Sequence, residues 1–178
     1  MKNITSILII LGLILLTGCA VIPTGYLPVS NSENEMVYKK HNEFKDISFY
    51  RHKAFFSPSP IEIYIGEGKL TYLRTKFKYR GSDWIFFENA TIINSESSKV
   101  KISFNSYDKE TDVLSGSSVV EYIDESLSDY KAKEILNLIN SNVDVIKVRL
   151  SGKYYKDYVL NESQINGLKE ILNIYFKE

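Results

Sequence analysis

The stretch Ile61–Tyr79, IEIYIGEGKLTYLRTKFKY, decides the fold class. Its first five residues alternate and place Ile61, Ile63 and Ile65 on one face of an extended segment, the period-two pattern of a half-buried strand. Gly66-Glu67-Gly68-Lys69 follows as a short turn of the kind that joins antiparallel neighbours. The chain returns over Leu70–Tyr79 as a second strand, with Thr71, Leu73, Thr75, Phe77 and Tyr79 on one side. Gly81-Ser82-Asp83 then turns it again. An antiparallel hairpin is the seed of the fold.

The flanks extend the same pattern. Upstream, 44–56 is rich in β-formers (Ile47, Phe49, Phe55, Phe56), and Ser57-Pro58-Ser59-Pro60 ends it because proline donates no ladder hydrogen bond. Downstream, Trp84-Ile85-Phe86-Phe87 is apolar on both faces, which predicts a central strand in the middle of the core, with Ala90–Ile93 continuing or pairing with it. Asn94–Ser98 reads as a polar turn. Val100, Ile102 and Phe104 alternate with Lys101, Ser103 and Asn105, a strand with one wet face. Asp108–Asp112 reads as a charged loop, and Val113-Leu114 and Val119–Ile123 as two β pieces around Ser115-Gly116-Ser117-Ser118. The 13 tyrosines and 9 phenylalanines favour the same strand-rich reading.

The period changes after Asp124. From Ser128 to Ser141 it is helical, with Ala132, Ile135, Leu138 and Ile139 on one stripe and Ser126 or Ser128 as the cap. Val143–Leu150 is expected as a strand, with Val143 and Val145, then Val148 and Leu150, as its buried residues; Gly152 ends it and Tyr155–Leu160 is the last strand. Asn161-Glu162-Ser163-Gln164 has the form of a capping box. The helix behind it runs to about Phe176, with Ile165, Leu168, Ile171, Leu172, Tyr175 and Phe176 on its stripe. The expectation is an α+β fold: an antiparallel β-sheet covered by two C-terminal helices, in one domain over 44–178.

The N-terminus carries a different signal. A short head with Lys2 precedes an apolar run of 13 residues, Ile4–Leu16, which ends in Leu16-Thr17-Gly18-Cys19. Positive head, apolar middle and small residues at a cut are the layout of a secretory signal. The run is shorter than the roughly 20 residues a membrane-spanning helix needs. Leu-Thr-Gly-Cys resembles the lipobox of bacterial lipoproteins, a resemblance confined to residues 1–19. It implies cleavage before Cys19, the only cysteine of the chain, and acylation of its sulfur. The implied organisation is a signal peptide over 1–18, a lipidated cysteine and flexible tether over 19–43, and the domain. Pro23, Gly25, Pro28 and the polar run Asn31–Glu35 underlie the tether, whose 24 residues after Cys19 reach roughly 25 to 30 Å as a coil. Ala20, where an aspartate marks inner-membrane retention in the Gram-negative sorting rule, favours the outer membrane if the host has one.

Composition excludes some classes. The 22 basic and 22 acidic side chains cancel, so no basic excess points to nucleic acid, and no cluster of Lys or Arg in the sequence suggests a polybasic membrane patch. With Cys19 acylated there is no disulfide and no cysteine-based metal site or nucleophile. The two histidines, His41 and His52, are eleven residues apart, at neither helical nor alternate-strand spacing, and read as solvated side chains. No cofactor or metal is expected. Glu121, Asp124 and Glu125 cluster where sheet gives way to helix, either as acid–base carboxylates or, the favoured reading, as charges at a helix N-terminus.

Arg149, Tyr154, Tyr155, Asp157 and Tyr158 are the candidate binding residues, because arginine and tyrosine are enriched at hot spots. The alternative is an Arg149–Asp157 or Arg149–Glu121 pair across strands with the tyrosines as packing. The functional expectation is a lipid-anchored envelope protein whose domain binds, without catalysis, an envelope protein or other envelope component. The alternatives are a small hydrolase built on Glu121 or Asp157, and a structural lipoprotein of an envelope assembly.

Overall fold

The computed structural model describes residues 22–29, 36–105, 108–114, 118–141 and 145–177. The lipobox and Cys19, and residues 115–117 and 143 of the expected turn and strand, lie outside them. The strands form two antiparallel sheets. The larger has the order β1 (Leu27–Pro28), β2 (Val37–Asn42), β3 (Ile47–His52), β4 (Ile61–Glu67), β5 (Thr71–Gly81), β9 (Ser118–Leu127), β8 (Lys109–Leu114). The smaller has the order β11 (Tyr155–Val159), β10 (Ile146–Ser151), β6 (Asn89–Asn94), β7 (Lys99–Ser103). Helix α1 (Asp129–Asn140) lies against β6 and β7, and helix α2 (Glu162–Lys177) against β3, β4 and α1.

The hairpin at the centre of the sequence is the centre of the larger sheet. β4 and β5 pair from Ile61↔Phe77 to Glu67↔Thr71, and their alternation sends Ile61, Ile63, Ile65, Leu73, Phe77 and Tyr79 into the core. Thr71, at the turn, is exposed. Both helices follow their stripes. Ser128 caps α1 by accepting from Lys131 N–H, and Ala132, Ile135, Leu138 and Ile139 are buried. The capping box closes reciprocally: Gln164 N–H donates to Asn161 Oδ1 at 2.9 Å and Asn161 N–H to Gln164 Oε1 at 3.0 Å. Gly167 sits inside α2, where glycine costs about 1 kcal/mol relative to alanine. A Cβ there would lie 2.6 Å from His52 Nδ1, so its absence lets the helix close on β3.

Several expectations are corrected. There are two sheets instead of one. Trp84–Phe87 is not a central strand but part of the irregular connector between β5 and β6, outside both sheets. Ile85 and Phe87 are buried while Phe86 is 44% exposed, with φ +53°, a left-handed conformation no strand contains. An unbroken apolar run matches the burial of Ile85 and Phe87 but carries no period, so it does not specify an extended backbone. Lys109–Asp112 belongs to β8 instead of a loop, since Glu110, Thr111 and Asp112 lie on an edge strand where water reaches them while Lys109 turns toward Glu121. The expected tether contributes two strands: Leu27–Pro28 pair with Tyr38 and Lys39 as the edge strand β1, where a proline is tolerated, and Val37 and Tyr38 are buried in β2. In β10 the inward residues are Ile146, Val148 and Leu150, one position out of phase with Val145.

What holds the connector is Glu121 on β9, which has 0% exposure. Its Oε1 accepts from Ile85 N–H at 2.7 Å and Phe86 N–H at 2.9 Å, and its Oε2 from Phe87 N–H at 3.1 Å. Lys109 Nζ stands 3.5 Å away. On the other side, Tyr154 N–H donates to Ile85 O and Glu88 N–H to Ser151 O, and a side chain at Gly152 would overlap the Phe86 carbonyl. Replacing the carboxylate by an amide leaves one N–H without an acceptor and Lys109 without its countercharge. We expect Glu121→Gln to destabilise the fold by about 2–4 kcal/mol in urea titrations, at unchanged m-value.

Candidate functional site

The register of the larger sheet collects charge on its outer face. Arg51 on β3, Glu62 and Tyr64 on β4, Arg74, Lys76 and Lys78 on β5, and Tyr122 and Asp124 on β9 occupy the positions between the core residues. Glu62 faces Lys76, Tyr64 faces Arg74, Lys76 faces Asp124, and Lys78 faces Tyr122. A hollow of about 170 Å³ is lined by Arg51, Lys76, Glu62 and Asp124 among the aromatic rings of Tyr26, Phe49 and Tyr64. A second, of about 250 Å³, opens beside it toward Phe56, Ser57, Ser59 and Lys78, and shares Arg51, Glu62 and Lys76 with the first. Together they form a groove.

Its charges are unequally satisfied. The Arg51 guanidinium forks onto Glu62, with Nη2–Oε2 at 2.5 Å and a second bond from Nε to Oε1. It also donates to the Tyr26 hydroxyl at 3.1 Å and lies against the Tyr26 and Phe56 rings. The Glu62 side chain is 8% exposed; burial pushes its carboxyl pKa up, and the Arg51 bonds oppose that shift. Arg74 Nε and the Tyr64 hydroxyl both donate to Asp124 at 2.8 Å, and Arg74 Nη2 donates to its backbone carbonyl at 2.7 Å. Both carboxylates are thereby engaged by arginines. Among the described residues neither Lys76 nor Lys78 makes an ion pair within 4 Å; Lys76 lies in register between Glu62 and Asp124, its charge opposes the upward shift of the Glu62 carboxyl, and its Nζ sits 4.4 Å above the Tyr122 ring. The groove therefore presents aromatic walls and a surplus of positive donors, a chemistry that receives anionic groups.

The sequence-predicted binding residues divide. Arg149, Tyr155 and Asp157 share the outer face of the smaller sheet. Arg149 and Asp157 are direct cross-strand partners, bonded at 2.6 and 2.7 Å, and the Arg149 guanidinium lies 4.5 Å from the Tyr155 ring centroid. The partner of Arg149 is Asp157, not Glu121, and the pair holds the Asp157 carboxyl below its ordinary pKa. Tyr154 is exposed in the β10–β11 turn. Tyr158 faces the opposite way, beside Val148; its hydroxyl is buried and its pKa pushed up to about 12 by that burial. The acidic cluster also separates: Glu121, Asp124 and Glu125 all lie on β9, with Glu121 inward and Asp124 outward, and α1 begins only at Asp129. The expected reading of those charges as a helix N-terminus is thus replaced by three separate strand positions.

Sequence reasoning missed the groove. Its signal is the polar half of the alternation that revealed the strands, but only the assembled sheet shows that Arg51 reaches Glu62 and that Arg74 reaches diagonally to Asp124.

His41 is exposed as expected and hydrogen-bonds Ser48, whereas His52 is buried, at 3% exposure, between β3 and α2. His52 Nδ1 accepts from Ala54 N–H at 3.1 Å, and Nε2 stands 3.1 Å from Glu170 Oε2. That spacing suits an ion pair, yet burial pushes the imidazole down to about 4 and the Glu170 carboxyl up. A neutral ring donating Nε2–H to Glu170 reconciles the two, because Nδ1 is already an acceptor. Among the described residues no three His, Cys, Asp or Glu side chains gather as a metal site requires.

Two predictions follow from these pairs. The unfolded chain takes up a proton on His52 near pH 6.5 and the folded chain only near 4, so stability falls as pH drops through that window, with Glu170 opposing part of the loss. Urea midpoints measured from pH 7 to 4 should show a flatter acid limb for His52→Gln than for the wild type. Arg51→Ala, which strands a buried Glu62, should cost about 3 kcal/mol, while the double change Arg51→Met, Glu62→Leu should lie within about 1 kcal/mol of wild type by thermal melting. Comparison of the chain with known family models, curated proteins and solved structures finds no match to any of them.

Proposed function

We propose that the chain is a lipid-anchored protein of the bacterial cell envelope whose folded part is a binding module rather than a catalyst, and that the groove on the larger sheet receives an acidic segment of an envelope partner. The anchor rests on the Leu16-Thr17-Gly18-Cys19 sequence, with the outer membrane favoured by Ala20 if the host is Gram-negative. The binding role rests on one observation: Lys76 and Lys78 stand beside aromatic walls without an ion pair of their own among the described residues, while Glu62 and Asp124 are each bonded to an arginine, which leaves the groove with more cations than carboxylates. We take the architecture as α+β, the two helices covering the inner side of the sheets.

The hydrolase reading has less support. Glu121 is enclosed and spends both oxygens on backbone N–H groups, and Asp157 lies on an open sheet face bound to Arg149. The structural-lipoprotein reading calls for a broad exposed apolar patch, whereas both outer faces are dominated by polar side chains.

The test has two arms. Metabolic palmitate labelling and the mass of the N-terminal peptide should show acylated Cys19, and Cys19→Ser should abolish it. Crosslinking in envelope preparations should then yield a partner with the wild-type protein that is lost at least tenfold with Lys76→Glu, Lys78→Glu and retained with Arg149→Ala, Tyr155→Ala. The opposite pattern would move the binding face to β10–β11. Turnover of an envelope substrate, abolished by a carboxylate substitution, would overturn the non-catalytic reading.

A further inference from the structure

The net charge of the whole chain hides a local excess. On the smaller sheet the outward positions form rows across the strands. One row is Asp157, Arg149, Thr91, Lys101, and the next is Val159, Lys147, Ile93, Lys99. Four cations, from segments about fifty residues apart in sequence, thus meet one carboxylate. That carboxylate is bonded to Arg149, with Lys147 near enough to lower its pKa further; Lys99, Lys101 and Lys147 are exposed and make no ion pair within 4 Å among the described residues, so the face keeps a net positive charge. Among the described residues, Glu88 and Glu96 lie in segments flanking β6 and not in these rows. With strands about 4.8 Å apart, the cations of one row stand about 10 Å from each other, a spacing that matches separate headgroups better than one small anion. Tyr155 and Val159, both more than 60% exposed, add apolar area on the edge strand β11.

We propose that this face of the smaller sheet docks on an anionic phospholipid surface and so sets the orientation of the anchored domain. The membrane is favoured over a soluble polyanion by the chain itself. Only seven residues separate Cys19 from Leu27, at most about 29 Å of extended chain, so an anchored domain stays at the interface. A sheet face with a charged centre and a tyrosine at its edge suits a headgroup layer, where aromatic side chains of mixed polarity reside. This inference rests on the anchor reading of Cys19 but is independent of the groove.

The experiment is lysine acetylation footprinting of the full lipidated protein in vesicles, read by mass spectrometry. Each basic side chain at an anionic surface contributes roughly fivefold to its affinity, so three together give on the order of a hundredfold. In vesicles with one third phosphatidylglycerol, Lys99, Lys101 and Lys147 should be modified at least fivefold more slowly than in pure phosphatidylcholine. Lys76 and Lys78 should be unchanged, and 0.5 M salt should remove the protection. In Lys99→Glu, Lys101→Glu, Lys147→Glu, shown to be folded by circular dichroism, the phosphatidylglycerol-dependent protection of Tyr155 from iodination should vanish. Equal rates in both vesicles, protection of Lys76 and Lys78 instead, or equal protection by soluble polyphosphate would each overturn the proposal. Failure of the anchor itself would appear separately, as an unmodified Cys19 mass.

Discussion

Three consecutive backbone N–H groups, those of Ile85, Phe86 and Phe87, converge on the Glu121 carboxylate. Convergence of that kind requires a residue to leave the extended conformation, and Phe86 does, with φ +53°. A bulky residue in the left-handed region costs of order 1–3 kcal/mol, and a carboxylate without water costs several more. The three charge-assisted bonds and Lys109 offset both. The consequence reaches far along the chain. Because the connector is held off the ladder after β5, β6 starts a new sheet instead of extending the first. The β10–β11 turn then closes over the connector at Gly152, where no side chain fits.

That local constraint explains which parts of the fold were legible in the sequence. Alternation in Ile61–Tyr79 and the stripes of the two helices state their burial directly, since each period belongs to one backbone geometry. The Asn161–Gln164 box states its own hydrogen bonds within four residues. Trp84–Phe87 carries no such statement. Its apolar composition is correct for its burial, but its geometry is dictated by a carboxylate 35 residues away in sequence, which no local pattern encodes. The edge strand β8 escaped for the reverse reason: its side chains meet water, so its polarity resembles a loop although its backbone is paired.

The site was less legible than the fold, and for a related reason. Arg149 and Asp157 stand eight residues apart around one turn, so their pairing could be weighed in advance as one of two readings. Arg51 and Glu62 lie on adjacent strands separated by the proline-rich break, and Arg74 meets Asp124 from strands fifty residues apart. Each was an ordinary polar residue in an alternating strand until the register joined them. The basic rows of the smaller sheet follow the same logic: β7 and β10 each contribute an ordinary wet face, and only the order β11-β10-β6-β7 makes it one surface.

The two kinds of ion pair bear differently on function. Arg149–Asp157 is half-exposed, and such pairs contribute about 0–1 kcal/mol. Arg51–Glu62 is largely enclosed, where desolvation consumes most of what the attraction returns, so neither pair is an efficient source of stability. The apolar cluster shared by both sheets and both helices supplies that instead. Charges that add little to stability, gathered around a groove whose Lys76 and Lys78 make no ion pair among the described residues, are the ground on which the proposed binding role of the outer face rests.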